Sequence, residues 1–301
     1  MGLNSYQNIL TNDPAVATQL RSENLACALL EISQHPDGEW SLRAPEHLQG
    51  SVAVIFSLTP NIDTRLTQLW LTIDACGQLV DSLDLYLPYL PYGRSDQVSD
   101  PGEALGMRAV ARQLSAMEKV ANVKLIEIHN PESLSHFTTP VASLSANQIL
   151  AQYLQTNTTK EQKYFCVAPD AGAKLITTEL ARQLASDVVI GKKSRAGGNT
   201  SISLTELPSN HASMSAIIRD DMIDSGATIA ATAKELVQAG VTNIVIVATH
   251  GVFSKPGEEF LNLIKEPTVR CVVTDTIMVP NSVQKYVEVV SWLKILKEIT
   301  D

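Results

Sequence analysis

One stretch constrains the fold more than any other: Ala216-Ile217-Ile218-Arg219-Asp220-Asp221-Met222-Ile223-Asp224-Ser225-Gly226-Ala227-Thr228. An apolar strand reaches two adjacent acids, then a loop of small residues, and a helical pattern follows over 229–238. The loop and a helix N-terminus therefore sit at the carboxyl end of a strand. Backbone N–H groups there can wrap a phosphate, and the helix dipole favours its charge. Asp220 and Asp221 suit a ligand carrying hydroxyls or a hydrated metal beside that phosphate. Carboxylates accept hydrogen bonds from sugar hydroxyls and bind Mg2+ as hard oxygen ligands. A sugar phosphate is the simplest molecule that satisfies both halves. The plainer alternative is an ordinary crossover with an acidic turn. Two consecutive acids, a third three residues on, then Ser-Gly-Ala-Thr, weigh against it.

Similar units recur along the chain. Apolar runs at 51–58, 82–87, 123–128, 164–168, 187–190, 215–218, 243–248 and 269–273 read as strands. Helical patterns over 64–76, 103–117, 146–154 and 175–184 lie between them. In the 103–117 helix, Leu105, Ala109, Arg112 and Gln113 set the period, and Arg108 shares a face with Arg112. Strands alternating with helices imply α/β architecture, a parallel sheet covered on both faces. Ligands of such sheets bind outside the carboxyl ends of the strands. The pattern runs roughly twice, which predicts two domains, 1–145 and 146–301.

Composition agrees. A chain of 301 residues with 45% apolar and 18% charged residues can bury a substantial core. A net charge of −9 argues against a general nucleic-acid binder. No apolar run is long enough for a membrane span, and no signal peptide is evident, so a cytoplasmic protein is expected. Cys27, Cys76, Cys166 and Cys271 lie far apart, each among apolar neighbours. Buried free thiols fit them better than zinc or disulfides.

The least regular segment is 191–213. It opens Gly191-Lys192-Lys193-Ser194-Arg195-Ala196-Gly197-Gly198. Three cations before paired glycines read as a basic loop or hairpin able to close on polyphosphate, with a solvated hairpin tip at about even weight.

Taken together, these motifs resemble ribose-phosphate diphosphokinases. The stretch from Asp220 to Thr228 looks like the phosphoribosyl-diphosphate loop of type I phosphoribosyltransferase folds, and its Asp-Asp-Met-Ile-Asp opening is similar to the diphosphokinases in particular. Further matches follow in order from about 35 to 280. They are Asp37-Gly38-Glu39, Pro88-Tyr89, Tyr92-Gly93-Arg94-Ser95-Asp96, Gly102-Glu103-Ala104, and Pro169-Asp170-Ala171-Gly172. Ala248-Thr249-His250-Gly251-Val252-Phe253-Ser254 and Val273-Thr274-Asp275-Thr276-Ile277 complete the set. Departures mark a divergent member: His35 replaces an aromatic residue, Ser95 a glutamine, and Glu127-Ile128-His129-Asn130 an Asp-Leu-His-Ala strand end. Residues 131–137 also diverge, and Lys192 competes with Lys193 in the Lys-x-Arg element.

The resemblance implies two tandem phosphoribosyltransferase-like domains and an ATP-dependent, Mg2+-dependent enzyme of nucleotide biosynthesis. It would move the diphosphoryl group of ATP to O1 of ribose 5-phosphate, giving 5-phosphoribosyl 1-diphosphate and AMP. It implies that Asp224, Ser225, Gly226, Ala227 and Thr228 cradle the 5-phosphate, and that Asp220 and Asp221 hold the ribose hydroxyls directly or through Mg2+. Lys193 and Arg195 would be catalytic. Arg94, Asp96 and His129 would meet ATP, as would Asp37 and Glu39, which in the family serve a neighbouring subunit of a homo-oligomer. His129 and Asp170 would position a metal. Plainer roles stand beside these: a packed side chain for His129 or His250, a helix cap for Asp170, a hairpin turn for Asp37-Gly38. Two other functions stay open, a phosphoribosyltransferase that consumes phosphoribosyl diphosphate and a non-catalytic regulatory homologue.

Overall fold

The computed structural model describes residues 2–157, 162–196 and 199–298, without the side chains of 194–196, 199–200 and 297–298. The chain forms two compact units. One runs to Leu144 and takes in the segment from Leu293; the other is Ser145–Trp292. That final segment departs from a simple division into 1–145 and 146–301.

The first unit carries β1 (Asn8–Thr11), α1 (Pro14–Ser22), β2 (Cys27–Leu29), β3 (Glu31–Gln34), β4 (Trp40–Arg43), β5 (Ser51–Ile55), α2 (Ile62–Gly77), β6 (Ser82–Leu87), α3 (Gly106–Ala116), β7 (Val120–Ile126) and β8 (Val141–Leu144). Its main sheet has the order β2-β1-β5-β6-β7-β8 and is parallel throughout. Val52, Ala53, Val54 and Ile55 are completely buried, as expected for a strand covered on both faces. Asp13 caps α1, accepting from Ala15 N–H at 2.9 Å, and Pro14 supplies the preset φ of a first helical residue.

Helix α3 starts three residues later than the sequence pattern predicts. Glu103 instead closes the preceding turn, accepting from Ser99 N–H at 2.7 Å and Asp100 N–H at 3.2 Å. Ser95 Oγ then accepts from Gly106 N–H at 3.0 Å and opens the helix from eleven residues upstream. The buried face is Met107, Val110, Ala111 and Leu114. Ala109, Arg112 and Gln113 are exposed, so the expected period falls on the wrong face, although Leu105 is buried.

Strands β3 and β4 form a separate antiparallel hairpin. Its turn has Gly38 at φ +96°, and Asp37 Oδ1 accepts from Glu39 N–H at 3.1 Å.

The second unit carries α4 (Asn147–Thr156), β9 (Tyr164–Ala168), α5 (Lys174–Leu184), β10 (Asp187–Ala196), β11 (Asn199–Leu204), β12 (Ser215–Ile223), α6 (Ala227–Gln238), β13 (Asn243–Gly251), α7 (Glu258–Leu263), β14 (Val269–Thr274) and β15 (Glu288–Val290). The closing helix α8 (Leu293–Glu298) groups with the first unit. The second sheet has the order β11-β10-β9-β12-β13-β14-β15, and only the β10–β11 pair is antiparallel.

Two strands outrun their predicted lengths because partners stay beside them. Strand β10 continues past Ile190, with Lys193 opposite Ile202, so much of 191–213 is a hairpin. Strand β12 continues past Ile218, with Asp220 opposite Ala248 and Met222 opposite His250. Asp220 and Asp221 are thus strand residues, not loop residues.

The chain leaves β9 for β10 on one side, while β12, β13 and β14 extend the sheet on the other. The carboxyl ends of β9 and β12 flank this switch point, where parallel sheets bind ligands. In the first sheet the matching position lies between β1 and β5. There Asn12 bridges the strand ends, donating to Ser57 O at 2.9 Å and accepting from Ser57 N–H at 2.8 Å.

Among the described residues no helix is long and apolar enough to cross a membrane. The four cysteines are buried and free. Burial pushes the Cys27, Cys76 and Cys166 thiols up to about 11 and that of Cys271 to about 12.

Candidate active site

The switch point of the second unit gathers most of the expected residues. Asp170 follows β9 in the turn before α5. Its Oδ1 accepts from Gly172 N–H at 3.0 Å and from Ala173 N–H at 3.4 Å, while Oδ2 lies 3.3 Å from Lys193 Nζ. The capping bonds and the contact with Lys193 therefore use different oxygens of one carboxylate. Lys193 Nζ also donates to Thr228 Oγ1 at 2.9 Å. Lys193 is half-buried, whereas Lys192, its neighbour on the other side of the strand, is exposed. The side chain of Arg195 lies outside the described residues, as do Gly197 and Gly198, the expected hinge.

Strand β10 can pass the Asp170 turn only because residue 191 is glycine. A Cβ at Gly191 would stand 2.4 Å from the Pro169 carbonyl oxygen. No sequence motif assigns Gly191 a task; its place just before the lysine pair is the available signal.

Asp220 and Asp221 end β12. Part of Asp220 reaches solvent, yet its carboxyl is deeply packed. That burial, then the adjacent Asp221 carboxyl and the charge of Asp170, push it well above the usual carboxylate range. Asp221 is buried. Asp224, Ser225 and Gly226 form the loop, and α6 begins at Ala227, two residues before the predicted start. Asp224 Oδ1 accepts from Ser254 N–H at 3.1 Å and also from Ser254 Oγ. Gly257 N–H donates to Ser225 O at 2.9 Å. The loop is thus tied to the segment after β13, a tether that sequence reasoning misses although Ser254 ends one of the motifs.

Gly226 has φ +74°, and a Cβ there would stand 2.2 Å from the Phe260 ring. That ring stacks on Phe253 with centroids 6.0 Å apart, so the loop rests on an aromatic floor. His250 is buried, its Nδ1 2.9 Å from Thr276 Oγ1. It packs within the sheet.

In the first unit a second group follows β6 and β7. Asn130 Nδ2 donates to Asp96 Oδ2 at 2.8 Å, and a Cβ at Gly93 would lie 3.6 Å from His129 Cβ. Arg94 and His129 are exposed. Asp37 and Glu39 are exposed at the tip of the β3–β4 hairpin.

Comparison with known proteins extends the resemblance. The family described as the N-terminal domain of ribose phosphate pyrophosphokinase matches residues 10–117, and the phosphoribosyl synthetase-associated domain matches 208–296. A ribose-phosphate pyrophosphokinase of Methanopyrus kandleri is 31% identical over 264 residues, covering 86% of each chain. One from Aquifex aeolicus is 31% identical over 269 residues, covering 89% of this chain and 85% of its own. The crystal structure of phosphoribosylpyrophosphate synthetase from Mycobacterium smegmatis shares the fold, with a TM-score of 0.83 at 24% identity, over 97% of this chain and 96% of that one. On this similarity along most of its length, the chain belongs to the ribose-phosphate pyrophosphokinase family.

Proposed function

We propose that the chain transfers the diphosphoryl group of ATP to O1 of ribose 5-phosphate, giving 5-phosphoribosyl 1-diphosphate and AMP. The observation that carries this reading is the meeting of Lys193 with Thr228 and Asp170 at the switch point of the second sheet. A cation there stands over a phosphate-type loop and beside an acidic strand end.

The ribose O1 hydroxyl attacks the β-phosphorus, the bond from that phosphorus to the oxygen of AMP breaks, and the hydroxyl proton is lost. The protein's work is to hold an in-line geometry and neutralise charge. Backbone N–H groups of Ser225 to Thr228, at the N-terminus of α6, receive the 5-phosphate, and the Ser225 and Thr228 hydroxyls add donors. Asp220 and Asp221 accept from the ribose hydroxyls. Lys193 and Arg195 stabilise charge on the transferring group, so their effect belongs to the transition state. Arg94 meets the ATP phosphates with Asp96 and His129 nearby. Asp37 and Glu39 contact nucleotide on a neighbouring subunit of a homo-oligomer.

The donor set suits Mg2+. Asp220, Asp221 and Asp170 are hard oxygen ligands; burial first, then the charges of Asp221 and Asp170, push the Asp220 carboxyl above its usual range. Among the described residues no three His, Cys, Asp or Glu side chains form a metal cage. Mg2+ characteristically uses one or two carboxylates together with substrate phosphates. Asp220 and Asp221 would hold it, with Asp170 as a further candidate; the resemblance separately names His129, in the first unit, as a metal-positioning residue. When bound, it supplies charge neutralisation on the phosphoryl oxygens. A cytoplasmic setting accords with four buried free thiols.

The deciding experiment is AMP formation from ATP by the purified chain. AMP that appears only when ribose 5-phosphate is present supports the reading. Release of diphosphate from phosphoribosyl diphosphate in the presence of a nucleobase, without AMP formation from ATP, would replace it with phosphoribosyltransferase activity.

A further inference from the structure

Arg219 precedes the acid pair and is completely buried, among the largest side chains so enclosed in the chain. Burying a guanidinium is costly unless its donors are satisfied. Its Nε donates to Asn147 Oδ1 of α4 at 2.9 Å, and its Nη2 donates to Thr249 Oγ1 of β13 at 3.1 Å. Its Nη1 donates to the carbonyl oxygen of Asp220. Asn147 is itself oriented, its Nδ2 donating to Ile176 O at 2.8 Å and Glu179 Oε2 at 2.9 Å. Thr177 Oγ1 reaches Arg219 O at 3.3 Å. One side chain therefore fastens α4 and β13 to the end of β12.

The third contact has a specific consequence. The Asp220 carbonyl belongs to the peptide joining Asp220 to Asp221. Fixing that peptide plane fixes the directions in which both side chains leave the strand, since successive strand residues point to opposite faces. Arg219 and Asp221 share a face, which also places the buried cation on the side of the buried acid.

We propose that Arg219 is a positioning residue for the ribose 5-phosphate site. It holds the Asp220–Asp221 peptide in register and supplies buried positive charge on the Asp221 side of the strand. This inference rests on the assignment of those acids to ribose 5-phosphate and adds the element that aims them. Lys at 219 keeps the charge but lacks the planar fork that reaches three acceptors at once. Met keeps comparable length without charge or donors.

The test compares wild type, Arg219→Lys, Arg219→Met and Asn147→Asp by thermal unfolding and by steady-state kinetics with each substrate varied. The expected result for Arg219→Met is a KM for ribose 5-phosphate raised about tenfold or more, with the KM for ATP nearly unmoved. Arg219→Lys should fall between it and wild type. Asn147→Asp offers the guanidinium a carboxylate, which competes with the Asp220 carbonyl while keeping the cation paired. It also removes the Nδ2 donor to Ile176 O and Glu179 Oε2, so a lower Tm should accompany the raised KM, and Arg219→Lys carries the test if Arg219→Met fails to fold. A Tm loss in the Arg219 variants, with the KM for ribose 5-phosphate unchanged in Arg219→Lys and Asn147→Asp, would make Arg219 structural only and overturn the inference. A wild-type chain that forms no AMP in response to ribose 5-phosphate would overturn the functional reading instead, and the inference with it.

Discussion

Lys193 Nζ donates to Thr228 Oγ1 at 2.9 Å, joining the β10–β11 hairpin to the first turn of α6. The same ammonium lies 3.3 Å from Asp170 Oδ2. Lys193, and not Lys192, is therefore the lysine whose side chain enters the site, because adjacent strand residues face opposite ways. Replacing Lys193 with Ala should lower kcat by about 100-fold or more, with smaller changes in substrate affinity. Arg195→Ala should behave alike, and Lys192→Ala should be milder. Steady-state kinetics of the three variants checks this; a silent Lys193→Ala beside a crippled Lys192→Ala would reverse the assignment.

The acid pair gives a second expectation. On the proposed assignment, Asp220→Ala or Asp221→Ala leaves ribose hydroxyls without their acceptors, at a cost of about 1–3 kcal/mol. The KM for ribose 5-phosphate should rise accordingly, by roughly 5- to 150-fold, while the fold persists. Unchanged kinetics in both variants would remove the sugar from this strand end.

Much of this site is legible in the sequence because its parts are local. The run from Asp220 to Thr228 carries acids, small residues and helix start in one stretch, so periodicity and loop chemistry coincide. What escapes depends on neighbours distant in the chain. Strand β12 reaches Ile223 only because β13 keeps pairing with it. Helix α3 waits until Gly106 because Ser95 and Glu103 divert the turn before it. Ser254 tethers Asp224 across thirty residues, and Arg219 gathers Asn147 and Thr249 from two other elements. Hydrogen bonds of that span leave no periodic trace. The basic segment is ambiguous in sequence for the same reason, since only pairing with 199–204 makes it a hairpin.

Gly226 should tolerate no side chain. Its φ of +74° disfavours any L-residue, and a Cβ would stand 2.2 Å from the Phe260 ring, so even Ala is opposed. Gly226→Ala should destabilise by about 1–3 kcal/mol and raise the KM for ribose 5-phosphate by moving the loop. Adding Phe260→Ala should remove the ring from the clash but not the residue-260 Cβ at 2.7 Å or the backbone strain, so recovery should be partial. Full activity of Gly226→Ala alone would show that the loop need not keep this shape.

A structural ion pair sets a pH expectation away from the site. Arg270 Nε and Nη2 meet Glu288 Oε1 and Oε2 at 2.8 and 2.7 Å, and Tyr153 Oη donates to Glu288 Oε2 at 2.8 Å. The Arg270 hydrogen bond, against partial burial, holds the Glu288 carboxyl below its usual range. A depressed carboxylate stabilises the fold above its unfolded pKa and loses that contribution as pH falls through the folded value. The pair is about a third exposed, so its worth is on the order of 1 kcal/mol. Glu288→Gln should lower Tm by about 2–4 °C at neutral pH. The gap from wild type should close in acid, and a gap that widens there would contradict the pairing.

The last expectation concerns sharing between subunits. Asp37 and Glu39 sit exposed at the tip of β3–β4, a hairpin outside the main sheet of its unit. The turn is held by its own bonds, Asp37 Oδ1 to Glu39 N–H at 3.1 Å and Gln34 Nε2 to Gly38 O at 2.9 Å, while the body of the hairpin packs on α2 and, through Ile32, on the core, so the exposed tip is preformed. A preformed, outward tip of this kind suits contact with nucleotide on another copy of the chain. If Glu39 completes a neighbour's site, Glu39→Ala and Lys193→Ala proteins are each inactive for different reasons. Mixing them under conditions of subunit exchange should restore activity, because hybrid oligomers contain some sites with both residues intact. Exchange is verified separately with differently tagged wild-type chains. No recovery despite verified exchange would mean that each chain completes its own site.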